Sequence, residues 1–417
     1  MNPQVGSSPV VTLGACLGLL ALVLFGCGSS SDGGASAGAP AVVAVSGAAG
    51  VSAGQGGSGA GSAGTSAGGA SGEPSNGDAG MAGEDAGGSA GAPPLAPWHL
   101  YGRWHVQGPK RAVTVNSGSH VTARFSGTGI AALFDVTGNT GAIPTVAWKV
   151  DDAGWKEAEI SASLPLAKGL ASGTHELTLF VRGMDESDER WTPPLVASTV
   201  FLGFAVTSGT LQPTARPERL KLEFLGDSIT EGVRVHSAGP AGQTSKNWLA
   251  DARLAYPSVT AGALGAEWRQ VGFGRQGLTV VAHGGVPKAQ DSFDWIYSGV
   301  PRDDWQPDIV VINEGTNDRG STGEVFRPLY GQYLDRIRTA YPEATLVALE
   351  PFVGAFGSEI SAEIETRRAA GDLRLVYVDT TGWTGPSDFT DGLHPNQTGS
   401  QVIRGHLVPV LEGLRSK

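Results

Sequence analysis

The spacing of apolar residues divides this chain into two parts that differ in predicted secondary structure. From residue 97 to 211, short apolar and β-branched runs are separated by Gly, Ser, Asn and Asp. This pattern, with little helical periodicity, predicts a small all-β domain, an antiparallel sandwich or jelly roll. The predicted strands are Ala112 to Val115, Val121 to Phe125, Ile130 to Val136, Thr145 to Val150, Glu176 to Val181 and Thr199 to Val206.

The second part covers residues 218 to 417 and follows a linker at 212–217. Strand-like runs alternate here with helical stretches, such as the one from Val325 to Tyr341 that precedes Pro342. This alternation predicts an α/β domain of three layers, in which a parallel sheet lies between helices and the functional site lies at the carboxyl ends of the strands. The predicted strands are Lys221 to Leu225, Asp308 to Asn313, Thr345 to Glu350 and Leu373 to Asp379.

The first 96 residues contain no predicted core. The apolar run Val10 to Phe25 ends close to Cys27 and is too short for a comfortable membrane span. Residues 1–27 resemble a bacterial lipoprotein signal peptide with Cys27 as the lipidated residue, and an ordinary secretory signal is the alternative. Residues 28–96 are mainly Gly, Ala and Ser, which predicts a flexible tether. We therefore expect a cell-envelope lipoprotein or a secreted protein.

The composition and net charge of the chain restrict the partners and the kinds of site that it can have. The net charge of −11, without a basic stripe, argues against nucleic acid as a partner. Both cysteines, Cys16 and Cys27, lie in the leader, so the folded part has no disulfide, thiol nucleophile or thiolate metal site. The eight histidines show no metal-binding spacing. We expect no metal, no cofactor and a monomer.

Ser228 is the first candidate for chemistry. It follows the predicted strand Lys221 to Leu225 and the strand-breaking pair Gly226-Asp227. A serine at a strand-to-helix turn stands clear of the sheet and is placed to act as a nucleophile, although the G-x-S-x-G signature of the α/β-hydrolases is absent. The alternative is a serine that only caps the following helix.

A glycine-rich segment, Gly272 to Gly277, formally contains G-x-G-x-x-G. The dinucleotide fingerprint needs a helix that opens at the third glycine, whereas Leu278 to Pro287 contains β-branched residues, a Gly-Gly pair and a proline. The favoured interpretation is that the backbone N–H of Gly277 points at a developing oxyanion. Gly274 is a rival for that role.

Two more polar groups follow predicted strands. Asn317 lies just past Asp308 to Asn313, where its amide could donate to the same oxyanion, or where it could serve only an Asx-turn. Asp391 and His394 lie three residues apart before the last helix. This spacing lets the carboxylate accept from Nδ1 of the imidazole while Nε2 faces a serine.

Together these segments resemble the SGNH (GDSL-type) hydrolases over about Leu220 to Leu414. The resemblance implies that Ser228 is the nucleophile, His394 the base and Asp391 the third triad member. It further implies an oxyanion hole formed by the Ser228 N–H, the Gly277 N–H and the Asn317 side chain. The matching blocks are Gly226-Asp227-Ser228-Ile229-Thr230, Gly277-Leu278-Thr279, Gly315-Thr316-Asn317-Asp318 and Asp391-Gly392-Leu393-His394-Pro395.

A small β domain directly before such a hydrolase domain is similar to carbohydrate esterase family 2, which implies an acetyl esterase acting on plant polysaccharides such as xylan. Looser motifs support this, including Gly102-Arg103-Trp104 and Ala255-Tyr256-Pro257. Trp383 is the candidate for stacking on a sugar ring, ahead of Trp295 and Trp305, and core packing is the alternative for each. A lipid esterase and a non-catalytic carbohydrate-binding surface protein are the other functions considered.

Overall fold

The computed structural model describes residues 95–243 and 245–415. They belong to one compact unit of the chain, Ala86–Lys417. The predicted signal peptide, Cys27 and nearly all of the predicted tether lie outside the described residues. Among the residues described, no helix has the length and apolar character of a membrane span.

The first part of the described chain is an antiparallel β-sandwich. Its strands form two sheets, in the orders β1-β4-β9-β6-β7, with β11 beside β4, and β2-β3-β10-β5-β8. Alternate residues point into the core between the sheets, as shown by Ile130, Ala132 and Phe134 of β5. The strands are β1 His99–Tyr101, β2 His105–Val106, β3 Ala112–Thr114, β4 His120–Ser126, β5 Gly129–Phe134, β6 Thr145–Val150, β7 Lys156–Glu159, β8 Ser163–Lys168, β9 Thr174–Gly183, β10 Thr199–Thr207 and β11 Thr210–Leu211.

The second part is built on a parallel sheet in the order β13-β12-β16-β17-β18. Its strands are β12 Lys221–Asp227, β13 Glu267–Phe273, β16 Ile309–Asn313, β17 Thr345–Leu349 and β18 Leu375–Val378, while β14 Trp295–Tyr297 and β15 Val300–Pro301 form a separate antiparallel pair. The helices are α1 Ser228–Glu231, α2 Tyr256–Ala263, α3 Ala289–Ser292, α4 Gly323–Ala340, α5 Gly357–Ala369 and α6 Gln397–Arg415.

Both faces of this sheet are covered. In β16, Val310 and Ile312 pack with Phe326 of α4, whereas Ile309 and Val311 pack with Leu407 of α6. A strand that is buried on both faces is apolar at every position, which explains the uninterrupted run in this segment. The predicted fold class, a three-layer α/β domain preceded by an all-β domain, is confirmed.

The strand β13 was absent from the sequence prediction although all seven of its residues are buried. Its sequence contains Glu267, Arg269 and Gln270, which hide the apolar pattern of a strand. The structure pairs these charges: Arg216 donates to Glu267 at 2.9 Å, and Arg269 donates to Asp303 at 2.8 Å. Burial of paired charges of this kind cannot be read from periodicity, because the partners lie far away in the chain.

The sandwich also contacts the α/β part of the molecule. The segment that connects β9 to β10 reaches the residues after β12, where Arg190 forms an ion pair with Glu231 of α1. A second ion pair joins Arg103, after β1, to Glu223 of β12 at 3.2 Å. All four side chains are buried, so the two parts share ionic contacts that exclude water.

Candidate active site

Ser228 is the first residue of α1 and directly follows β12. The turn is tight: a Cβ at Gly226 would lie 2.3 Å from the Thr230 hydroxyl and 2.5 Å from the Asn313 carbonyl oxygen. Asp227 then caps the helix, since its Oδ1 accepts a hydrogen bond from the Ile229 N–H at 2.8 Å. The serine side chain therefore stands at the carboxyl end of the sheet, where the sequence pattern places the site.

His394 and Asp391 reach this serine from the turn before α6. The Nε2 atom of His394 lies 2.9 Å from Oγ of Ser228, and its Nδ1 atom lies 2.9 Å from Oδ2 of Asp391. Burial opposes ionisation of Asp391, but hydrogen bonds from the His394 backbone and imidazole outweigh it and hold the pKa of the carboxyl below its usual value. The three groups thus form the hydrogen-bonded series that nucleophilic catalysis by serine needs.

The turn itself fixes the imidazole. Oδ1 of Asp391 accepts from the backbone N–H groups of Leu393 at 3.2 Å and His394 at 2.9 Å, while the Thr390 N–H donates to the His394 carbonyl oxygen at 2.9 Å. Gly392 has a φ of +80°, which suits a residue without a Cβ. The short D-x-x-H spacing therefore works because one carboxylate binds both the backbone and the ring of the same residue.

Asn317 lies beside the serine strand in a short 3₁₀ turn after β16. Its Nδ2 donates to Oδ2 of Asp227 at 3.1 Å and to the Gln276 carbonyl oxygen at 2.8 Å. These two contacts hold the amide between the turn that carries Ser228 and the glycine loop. Both amide hydrogens have acceptors, so a substrate oxyanion would have to share or replace one of these hydrogen bonds.

The Gly277 N–H, which the sequence analysis assigns to the oxyanion hole, already has an acceptor in this structure. This N–H donates to the Val280 carbonyl oxygen at 3.1 Å, inside its own loop. Gly277 is also required by packing, since a Cβ there would lie 2.7 Å from Oδ2 of Asp318. The rival Gly274 is no better placed, because its N–H is directed to the Glu231 carboxylate.

The tryptophans considered for sugar stacking are packed to different degrees. Trp383 is half-buried and stacks on His406 with 5.0 Å between ring centroids. Trp305 donates to Glu267 at 2.7 Å, at the amino end of the parallel strands and away from Ser228. Trp295 is partly exposed at the start of β14. A sugar-binding role for Trp383 stays a prediction.

The structure also shows a group of buried acidic residues near Ser228 that the sequence analysis did not identify. Burial raises the pKa of Asp227 to about 7, and burial together with Asp227 and Asp318 raises that of Glu314. Asp318 holds the glycine loop in place by accepting from the Leu278 N–H at 3.1 Å and the Thr279 N–H at 2.6 Å. Within residues 95–243 and 245–415, no group of three or more His, Cys, Asp or Glu side chains is arranged to hold a metal ion.

Residues 224–402 match the model of the GDSL-like Lipase/Acylhydrolase family. Among curated proteins, the cellulase/esterase CelE of Acetivibrio thermocellus is 28% identical to this chain over 336 residues. The aligned part is 75% of this chain but 39% of CelE, so the chain spans well under half the length of this relative.

Among solved structures, a family two carbohydrate esterase from Clostridium thermocellum, in complex with cellohexaose, matches with a TM-score of 0.65 and 26% identity, over 76% of this chain and 99% of that one. An acetyl xylan esterase, Est2A, from the rumen bacterium Butyrivibrio proteoclasticus matches with a TM-score of 0.63 over 76% of this chain and 96% of that one. At 19% identity, this second likeness concerns the fold alone. Residues 224–402 thus match the GDSL-like lipase/acylhydrolase family model, and the chain resembles the family 2 carbohydrate esterases in sequence and fold.

Proposed function

We propose that this protein is a serine esterase that removes acetyl groups from polysaccharide, of the xylan type or a related glycan. The observation that carries the proposal is the hydrogen-bonded series Asp391–His394–Ser228, with 2.9 Å at each side of the imidazole. The relatives, named as esterases, point to a carboxylic ester hydrolase.

Each step of the proposed reaction is carried out by one of these residues. His394 accepts the hydroxyl proton while Oγ of Ser228 attacks the acetyl carbonyl carbon, and a tetrahedral intermediate forms. The intermediate collapses as His394 gives that proton to the departing sugar oxygen, which leaves an acetyl group on Ser228. Water, activated by the same imidazole, then attacks the acetyl-enzyme and releases acetate with a free serine. Asp391 keeps the imidazole in the tautomer that both half-reactions need.

The oxyanion is stabilised by the N–H at the start of α1, by Asn317 and by Gly277. The Ser228 N–H is the first N–H of α1, and the first N–H groups of a helix have no partner within the helix. The Asn317 amide lies on the other side, held by Asp227 and Gln276. The Gly277 N–H is the third proposed donor; like the amide of Asn317, it would have to exchange a hydrogen bond, here the one to the Val280 carbonyl oxygen, for one to the oxyanion.

Polysaccharide is proposed as the substrate on the strength of the relatives. The solved structure from Clostridium thermocellum contains cellohexaose, and CelE is named a cellulase as well as an esterase. In this chain the β-sandwich packs directly against the catalytic half through the buried pairs Arg103–Glu223 and Arg190–Glu231. A sandwich at this position is available to bind a long substrate beside the serine.

A series of p-nitrophenyl esters tests the reaction, with Ser228→Ala as the inactive partner. We expect fast cleavage of the acetate, a steep loss by the butyrate, and no activity of the variant. Better cleavage of long acyl chains would identify a lipid esterase instead. An absence of Ser228-dependent hydrolysis with every ester would leave a binding protein.

We also propose that the enzyme acts outside the cytoplasm as a monomer, tethered through lipid on Cys27. This rests on the apolar run that precedes Cys27 and on the Gly-, Ala- and Ser-rich sequence after it. Expression of the full chain and of Cys27→Ser in a bacterial host separates the alternatives. Partition of the wild type into the detergent phase, with release of the variant, supports the tether, whereas equal release of both indicates an ordinary secretory signal.

A further inference from the structure

Arg234 contacts the triad acid from a segment that the mechanism does not use. Its Nη1 atom lies 3.4 Å from Oδ2 of Asp391, the oxygen that also faces the imidazole of His394. Asp391 is the only carboxylate of the described residues within ion-pair distance of this guanidinium. The arginine side chain is 45% exposed and the aspartate side chain 28% exposed, so water screens the pair only in part.

The backbone after α1 is shaped to make this contact. Gly232 ends the helix with a φ of +84°, and Arg234 itself has a φ of +54°, a conformation that residues with a Cβ rarely adopt. The next residue, Val235, is buried, and its carbonyl oxygen accepts from the Thr390 hydroxyl at 3.5 Å. The segment that follows the nucleophile is thus attached to the turn that carries the acid and the base.

We propose that Arg234 is a positioning residue of the triad, whose guanidinium contacts Asp391 and opposes a positive charge on His394. This inference rests on the proposed function, because it concerns the same Ser228–His394–Asp391 series. The arginine does not touch the reacting atoms. It acts through the carboxylate, whose Oδ2 it shares with the imidazole of His394.

Other charges near this contact have to be considered. Glu186 and Lys246 line the same small pocket as Arg234, and Lys246 lies 3.3 Å from the Ser187 hydroxyl rather than beside Asp391. Asp227 and Glu231 are buried at the base of the nucleophile turn. Lys246 is therefore a matched control: a cation in the same pocket without the ion pair to the triad acid.

The expected effect has a definite sign. A cation beside the Asp391–His394 pair disfavours protonation of the imidazole, and only the neutral imidazole accepts the serine proton. Loss of the cation moves the acid limb of the kcat/KM profile to higher pH, by roughly 0.5 to 1 pH unit for a partly screened charge at this range. That shift corresponds to a rate about 3- to 10-fold lower on the acid limb, with a plateau close to that of the wild type.

The experiment compares the wild type with Arg234→Gln, Arg234→Gly, Arg234→Lys and Lys246→Gln in the full chain. The glycine variant suits the positive φ, so it keeps the test valid even if the glutamine variant does not fold. The readouts are the pH profile on p-nitrophenyl acetate and, without any substrate, the midpoint of the His394 imidazole titration by NMR. Both neutral variants should shift upward in both readouts, and lysine at 234 should restore the wild-type profile.

Three outcomes would overturn the proposal: unshifted midpoints in the neutral variants, a uniform loss of activity at every pH, or an equal shift in Lys246→Gln. An equal shift in Lys246→Gln would indicate that any cation in this pocket has the effect, whether or not it pairs with Asp391. If the wild type hydrolyses no ester, the proposed function fails, while the NMR midpoints still decide whether Arg234 acts on His394.

Discussion

Arg190 and Glu231 form a buried ion pair between the sandwich and the nucleophile helix, and replacing Arg190 with methionine removes one of its two charges. The side chains are 0% and 1% exposed, and Nη2 of the arginine lies 2.9 Å from Oε2 of the glutamate. The glutamate also receives the Gly274 N–H. Burial raises the pKa of Glu231 and Arg190 opposes that effect, so without the arginine the carboxylate is buried without a cation beside it.

The loss in the free energy of unfolding caused by Arg190→Met can be estimated. Removing one partner of a buried ion pair costs about 3–5 kcal/mol, because the other charge keeps its desolvation penalty without compensation. With an m-value of about 3 kcal/mol/M in urea, this loss lowers the midpoint of unfolding by roughly 1 to 1.7 M. Because Glu231 belongs to the helix that begins at Ser228 and contacts the glycine loop, kcat on p-nitrophenyl acetate should fall as well.

The assay is urea unfolding of the wild type, Arg190→Met, Glu231→Gln and the double variant. The double variant leaves no unpaired charge, so it should be more stable than Arg190→Met. The double-mutant cycle formed by these four proteins should give an interaction energy between Arg190 and Glu231 of at least about 1 kcal/mol. Arg374→Met is a control, since that arginine forms an exposed pair with Glu343, worth about 0.5 kcal/mol. A loss below about 1 kcal/mol in Arg190→Met, or an additive double variant, would refute the reasoning.

The other predictions concern the turn around the serine. Asn317→Ala should lower kcat by roughly 10²–10³, as expected for loss of one oxyanion donor, and near-normal turnover would remove it from that role. Gly226→Ala should unfold at lower urea and lose activity, because its Cβ would lie 2.3 Å from the Thr230 hydroxyl. The pKa of Asp227 is raised to about 7, so the folded state binds more protons than the unfolded chain. The free energy of unfolding should therefore fall as the pH rises from about 4 to 7. Asp227→Asn should make this pH dependence weaker in a series of urea unfolding experiments. Trp383→Ala should raise KM for a glycan without lowering stability if the ring binds sugar, and lower stability alone if it only packs on His406.

The sequence predicts those elements and contacts that depend on residues close together in the chain. The apolar run before Asn313 predicted β16, because a strand covered on both faces has no polar position. The run from Val325 to Tyr341 predicted α4, whose buried residues Phe326, Tyr330, Leu334 and Ile337 recur at helical spacing. The Asp391–His394 spacing predicted the contact between carboxylate and imidazole, since a single turn of chain decides it.

What the sequence could not supply depends on residues far apart in the chain. The partner of Glu231 is Arg190, in a loop of the sandwich, and no spacing rule connects the two. The hydrogen bond from the Gly277 N–H to the Val280 carbonyl oxygen was not predicted, because a glycine-rich segment permits several turns, and the choice depends on Asp318, which fills the space beside Gly277. Arg234 was missed because its contact with Asp391 joins two turns that follow different strands.

The measurement that tests the central claim most directly is acetate release from acetylated xylan by the wild type and by Ser228→Ala, at matched enzyme concentration. We predict steady release by the wild type and none above background by the variant, since in the proposed reaction Oγ of Ser228 attacks the acetyl carbonyl. Equal release by both proteins would contradict the account. So would p-nitrophenyl acetate hydrolysis that depends on Ser228 without any release of acetate from the polysaccharide.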